Sequence, residues 1–115
     1  MSMGTLRFKN CINLLRKLDK EMQLQAVLIL ILIAEGSKSG HYETCKSLKE
    51  KVGISSASCS RNVAVLSKWN RHGILGHDLV VNWENPKKRV EKFIKLTLKG
   101  EMFMKELENT IKGGR

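Results

Sequence analysis

A chain of 115 residues carrying 21 Lys and Arg against 11 Asp and Glu, a formal charge of +10 at neutral pH, is sized for one domain and biased towards a polyanionic partner. So few acids argue against an acidic solvating tail, a calcium site or a divalent-metal carboxylate enzyme. A hydrophobic content of 42% with a single Pro points to a folded domain, and an aromatic share of 5% speaks against a stacking platform for single strands.

From Thr5 to Lys20, Phe8, Cys11, Ile12, Leu15 and Leu18 recur at three- and four-residue steps opposite Lys9, Asn13, Arg16, Lys17 and Lys20, which predicts an amphipathic helix. Met22 to Glu35 is apolar nearly all round. Its β-branched residues allow a strand, but its length favours a fully buried helix with Gly36 as its stop. Thr44 is a good N-cap for a short helix in which Leu48 and Val52 share a face and Gly53 ends the run. Ser55 or Ser56 caps a second helix reaching Asn70. There Cys59, Val63 and Leu66 form one stripe, while Ala57, Ser58, Arg61, Ala64 and Lys68 point away from it. Two short helices joined by Gly53-Ile54-Ser55 have the spacing of a helix-turn-helix.

The pattern then turns strand-like. Asp78 to Glu84 and Val90 to Thr97 flank Asn85-Pro86-Lys87-Lys88-Arg89, a turn with three consecutive cations. Ile94 and Leu96 share one face, Phe93 and Lys95 the other. Thr97 can cap a last helix with Leu98, Met102, Phe103, Leu107 and Ile111 as its apolar residues.

Ser58-Cys59-Ser60-Arg61-Asn62-Val63 with Leu66 is similar to the recognition-helix pattern T-v-S-R-x-v-x-x-L of MarR-family transcription regulators. Ile94-Lys95-Leu96-Thr97-Leu98-Lys99-Gly100 resembles that family's v-x-L-T-x-x-G passage from wing to last helix. The resemblance spans roughly Thr44 to Leu107. It implies an α+β, mostly α fold: a winged helix-turn-helix, with a three-helix core and a two-stranded β-hairpin wing, plus N- and C-terminal helices. The departures are Lys49 in place of a small Ala, Asn70 in place of a helix-ending Gly, a longer link from Arg71 to His77, and Lys87 in place of an Asp. The longer link lets the helix run on towards Gly73. The expected organisation is one domain over residues 1–115, with N-terminal helices at 5–35, the helix-turn-helix at 44–70, the wing at 78–97 and a C-terminal helix at 98–112.

The cations are unevenly spread. Thr5–Lys20 holds five against one acid, His41–Gly76 six against two and His77–Gly100 six against three, while the apolar helix and the last fifteen residues are neutral or slightly negative. That is the footprint expected of a DNA reader. In this reading Ser55, Ser56, Ala57, Ser58 and Ser60 let the backbone approach the major groove. Arg61 makes a bidentate contact with guanine, and Asn62 and Lys68 extend the surface. Thr44 and Lys46 meet phosphates. Lys87, Lys88 and Arg89 reach a flanking phosphate or the minor groove. The bland alternatives are a plain helix start for the serines, an edge-blunting turn for the cations and a solvated face for Lys9, Arg16, Lys17 and Lys20.

Cys11, Cys45 and Cys59 are an odd number without a C-x-x-C pair, as suits a reducing cytoplasm. Cys11 and Cys59 read as buried core residues; a redox-sensing thiol at Cys45 beside Lys46 is only a minor alternative. Cys45 with His41 lacks the second pair a metal needs. His72 and His77 are expected in an exposed loop. The apolar run Ala26–Ala34 is about half the ~20 residues of a membrane helix, and the charged start does not read as a signal peptide.

The function expected is a sequence-specific, double-stranded DNA-binding regulator, a repressor by occlusion, cytoplasmic and nucleoid-associated (in a host's cytoplasm if viral). It works as a homodimer on a palindrome, with Phe8, Leu14, Met102, Phe103, Leu107 and Ile111 at the dimer interface. No cofactor, metal, membrane or enzymatic activity is expected, and a small-molecule effector is possible but not indicated. The alternative is a winged-helix module that binds a polymerase or replication partner, or RNA.

Overall fold

The computed structural model describes residues 2–68, 73, 75–85 and 87–113, the side chains of Asn85 and of residues 88–91 excepted. Helix α1 (Met3–Leu18) is capped by the Ser2 hydroxyl, which accepts from Thr5 N at 3.1 Å. Cys11 and Leu15 are its buried residues, whereas Phe8 is 67% exposed. The stripe expected to face the core therefore does so only in its C-terminal half.

Helix α2 (Leu24–Ser39) runs past the expected stop at Gly36 and ends at Gly40, whose φ is +80°. Gly36 is instead a point of close approach. A Cβ there would stand 2.7 Å from the His41 carbonyl oxygen, so the chain folds back over α2 only because that side chain is missing. Nor is α2 buried all round. Ile29, Leu30 and Ile33 are fully enclosed, but Leu24, Leu28 and Ile31, one stripe at helical spacing, face outward.

Helices α3 (Cys45–Val52) and α4 (Ser56–Leu66) form the helix-turn-helix. Gly53 has φ +77°, the left-handed conformation that lets the chain reverse between them. Leu48, Cys59, Val63 and Leu66 carry the inward faces into the core around α2, each fully buried aliphatic contributing about 1.5–3 kcal/mol. Helix α4 ends at Leu66, short of the expected Asn70, and does not run on towards Gly73. The next segment supplies the reason: Leu79 N donates to the Leu66 carbonyl at 2.7 Å, His77 N to Val65 at 3.0 Å and Asp78 N to Ser67 at 3.2 Å. Carbonyls that another turn of helix would have used are satisfied by the returning chain. Lys68 thus lies beyond the helix, while Asn70, Arg71 and His72 lie outside the described residues.

Strands β1 (Val80–Asn85) and β2 (Lys88–Leu96) pair antiparallel, with Val80 opposite Leu96 and Asn82 opposite Ile94. Ile94 N also donates to the Glu43 carbonyl at 2.8 Å, which fastens β2 to the residue before the α3 cap. Helix α5 (Leu98–Ile111) is capped by Thr97, whose Oγ1 accepts from Gly100 N at 3.0 Å and donates to the Asp78 carbonyl at 2.6 Å. The Leu-Thr-x-x-Gly passage has a physical reading here: Leu96 is core, Thr97 locks helix to strand, and Gly100 clears the Leu79 carbonyl, which a Cβ would meet at 2.0 Å. Helix α5 packs against α1. The result is an α+β, mostly helical winged helix-turn-helix flanked by N- and C-terminal helices. Among the described residues no helix is long and apolar enough to cross a membrane.

Candidate nucleic-acid interface

The helix-turn-helix is built on two hydroxyl caps. Thr44 Oγ1 accepts from Ser47 N at 3.1 Å while Ser47 Oγ accepts from Thr44 N at 2.8 Å, a reciprocal capping box that starts α3. Ser55 Oγ accepts from Ser58 N at 3.1 Å and starts α4. Thr44 is 6% exposed, so its hydroxyl is spent on the cap and is not available to a phosphate. The adjoining Glu43 carboxylate, also buried, accepts from Ser47 Oγ at 2.6 Å and pairs with Lys51. Nothing in the spacing marked Glu43 as a buried acid, because an acid beside a cap ordinarily reads as solvated.

On α4, Ala57, Ser60 and Arg61 are exposed and Val65 is partly so. Arg61 Nη2 donates to Ser58 Oγ at 3.3 Å, and Lys49 Nζ donates to Ser56 Oγ at 3.2 Å. Asn62 turns sideways: its amide donates to the Ser58 carbonyl at 2.9 Å and to Gln25 Oε1 at 3.3 Å, tying α4 to the first turn of α2. The long cationic side chain on the outer face of α4 is therefore Arg61, surrounded by small residues. Lys46 is exposed on α3, and Lys68 is exposed just past α4. A cleft of about 320 Å³ opens beside Arg61, Ser58 and Asn62, with Asp19, Glu21 and Gln25 on its other wall.

In the wing, Lys87 is exposed and the backbones of Lys88 and Arg89 begin β2, while their side chains and Pro86 lie outside the described residues. The wing's outward face is tied down by a cluster that spacing alone did not reveal. Tyr42 meets Trp83 edge-on at 4.9 Å, Phe93 lies 5.7 Å from Tyr42, and Lys95 Nζ sits 4.0 Å over the Trp83 ring. Phe93 and Lys95 were legible as one face of a strand; Tyr42, fifty residues away in sequence, was not.

His77, expected to be exposed, has a side chain only 20% accessible and contacts Asp19 Oδ2 at 3.2 Å. Asp19 Oδ1 also accepts from Glu21 N at 2.9 Å. That backbone bond, then His77, holds the Asp19 carboxyl below its ordinary value. Cys11 and Cys59 are buried, as read, and Cys45 is exposed. Among the expected interface residues, Phe8, Met102 and Ile111 are exposed. Phe103 and Leu107 are not available to a partner: they are already buried inside the chain, and Leu14 is half-buried against the same core. Both sit on the α5 face turned inwards, which helical spacing could not distinguish from the outward one.

No family model matches the sequence, and no curated protein matches it either. The fold has clear counterparts among solved structures. Rv1404 of Mycobacterium tuberculosis superposes with a TM-score of 0.70 at 14% identity, over 96% of this chain and 67% of its own. The transcriptional regulator Tm0710 of Thermotoga maritima gives 0.68 at 16% identity, over 95% and 67%. A MarR-family transcriptional regulator of Rhodococcus sp. RHA1 gives 0.64 at 15% identity, over 96% and 68%. With these neighbours and the geometry above, the chain is a winged helix-turn-helix of the MarR-like fold.

Proposed function

We propose that this chain is a double-stranded DNA-binding transcription regulator, with α4 entering the major groove and the basic wing reaching the backbone or minor groove. The observation that carries the reading is Arg61, an exposed guanidinium one turn into the second helix of a helix-turn-helix, among residues small enough for close approach to base edges. Ser55, Ser56, Ala57, Ser58, Ser60 and Asn62 line its surroundings, Lys46 and Lys68 supply phosphate contacts, and Lys87, Lys88 and Arg89 are the wing's contacts. Phosphates near α3 would meet the Lys46 ammonium and the amides of the helix start, since the Thr44 hydroxyl is engaged. The chain acts as a homodimer, because two half-sites multiply the discrimination of one short helix. Phe8, Met102 and Ile111 are the apolar side chains still open for that contact. A regulator whose α4 and wing both occupy the duplex represses by occluding other proteins from it.

Selection of bound sequences from random duplex tests the proposal. A two-fold symmetric consensus is the expected result. Enrichment of no sequence, together with Arg61→Ala binding every duplex as tightly as the parent, overturns it in favour of a protein- or RNA-binding winged helix.

A further inference from the structure

Arg61 is the only charged residue of α4, and the side chains one turn away on its face of the helix are mostly apolar. Ala57 lies one turn before it, Ala64 and Val65 one turn after. Ala57 is exposed, Val65 is 41% exposed and Ala64 is half-buried. The inward stripe is Cys59, Val63 and Leu66, so none of these three is needed for the core. The polar groups nearby are spent within the chain. The Asn62 amide nitrogen, with two hydrogens to give, donates to the Ser58 carbonyl and to Gln25 Oε1, which closes the paired contact of an amide with adenine. Ser58 Oγ accepts from Arg61 and Ser56 Oγ from Lys49. Helix α4 also has no carboxylate to accept from the amino group of cytosine.

We propose that this face reads thymine methyl groups on either side of a guanine, Ala57 taking one and Val65 the other, with Arg61 on the guanine between them. The inference rests on the DNA-binding function proposed above and names the half-site that α4 selects. The C5-methyl of thymine is the apolar group that the major groove presents, so an apolar side chain brought against base edges gains where that methyl stands. Charge fits the same occupant: no acid interrupts α4, and the exposed Lys46 and Lys68 lie before and beyond it. Spacing sets the offset. Four residues of helix advance about 6 Å, and successive base pairs stand about 3.4 Å apart. Each thymine therefore falls within two base pairs of the guanine, on one strand or the other.

The test alters the DNA and leaves the full chain intact. In the duplex selected from random sequence, 7-deazaguanine, which lacks the N7 acceptor, locates the guanine that Arg61 contacts. Uracil, which pairs as thymine does but lacks the methyl, then replaces each thymine in turn, and affinity is titrated. A fall of about fourfold is expected for each methyl that is read, confined to thymines within two base pairs of that guanine. Ala57→Ser and Val65→Thr, near-isosteric changes at exposed positions, should each bind more weakly and each lose the response to one thymine. A consensus without thymine in that window, or uracil that binds as thymine does, overturns the proposal. An undiminished uracil effect in both variants gives the methyls to other residues and overturns it too. A chain that binds no duplex defeats the DNA reading itself, whereas a chain that binds its selected site yet ignores the methyls defeats this inference alone.

Discussion

Arg61 combines two properties that rarely coincide in a structural side chain: it is exposed, and among the described residues its hydrogen bond is to Ser58 on its own helix. An exposed bond of this kind is cheaply exchanged for a partner in the groove, so Arg61→Ala leaves the fold nearly unchanged and acts on binding. The expected loss is about 1–3 kcal/mol of DNA affinity with relaxed preference at one base position, read by titrating single-base variants of the selected site. A uniform loss across all variants would make Arg61 a phosphate contact instead. Asp19 has the opposite character, a side chain that works for the fold. Its carboxyl is lowered by the Glu21 backbone N–H and then by His77, so its contribution is complete above the ordinary Asp value and disappears as pH falls through the lowered one. The side chain is 30% accessible, which keeps the contribution under about 1 kcal/mol. Urea melts of the parent and Asp19→Asn should therefore differ at neutral pH and converge in acid; a gap that persists in acid would refute the charge-based account.

At the scale of elements, the junction from β2 to α5 is where sequence pattern and structure meet most closely. Gly100 faces the Leu79 carbonyl at a distance no Cβ tolerates, so Gly100→Ala must push α5 away from the start of β1. Overpacking of this kind costs about 1–3 kcal/mol or more, whereas exposed Lys99→Ala should stay within about 0.5 kcal/mol. Denaturant midpoints of the two variants decide the matter, and equal midpoints would mean that the junction yields freely. Such junctions are legible because a cap, a core residue and a close-approach glycine leave local marks: Thr44, Ser55, Gly53, Leu96 and Thr97 all stand where their types required. What was not legible depends on contacts distant in sequence. Helix α4 stops at Leu66 because residues 77–79 arrive to take its carbonyls, and Gly36 sits within α2, not at its end, because the His41 carbonyl lies where a Cβ would be. The same blindness placed Phe103 and Leu107 at an interface, since an apolar residue on a helix does not say which neighbour covers it.

Over the whole molecule, charge and apolar surface divide the labour. The acids of the helix-turn-helix are few, and Glu43 is already paired with Lys51 inside it. By sequence, His41–Gly76 still holds six cations against two acids and His77–Gly100 six against three, so the positive excess is carried in good part by the helix-turn-helix and the wing. The exposed apolar side chains include Phe8 on α1 and Met102 on α5, 67% and 66% accessible, on two helices that pack together. Side chains this open contribute little to the single chain, so Phe8→Glu combined with Met102→Glu should leave the melting temperature of the isolated protomer intact while placing two charges in a dimer contact. Sedimentation should then show the parent as a dimer and the variant as a monomer. The two should also differ in how salt acts on binding to the symmetric duplex. A dimer making ~6–10 phosphate contacts loses ~10³–10⁵-fold in affinity between 50 and 200 mM salt, and a monomer with half the contacts has about half that slope. A variant that stays dimeric moves the interface to another surface, such as the exposed Leu24, Leu28 and Ile31 stripe of α2. A variant that becomes monomeric yet keeps the parent's slope would show that one chain alone makes all the phosphate contacts, and the two-fold arrangement would fail with it.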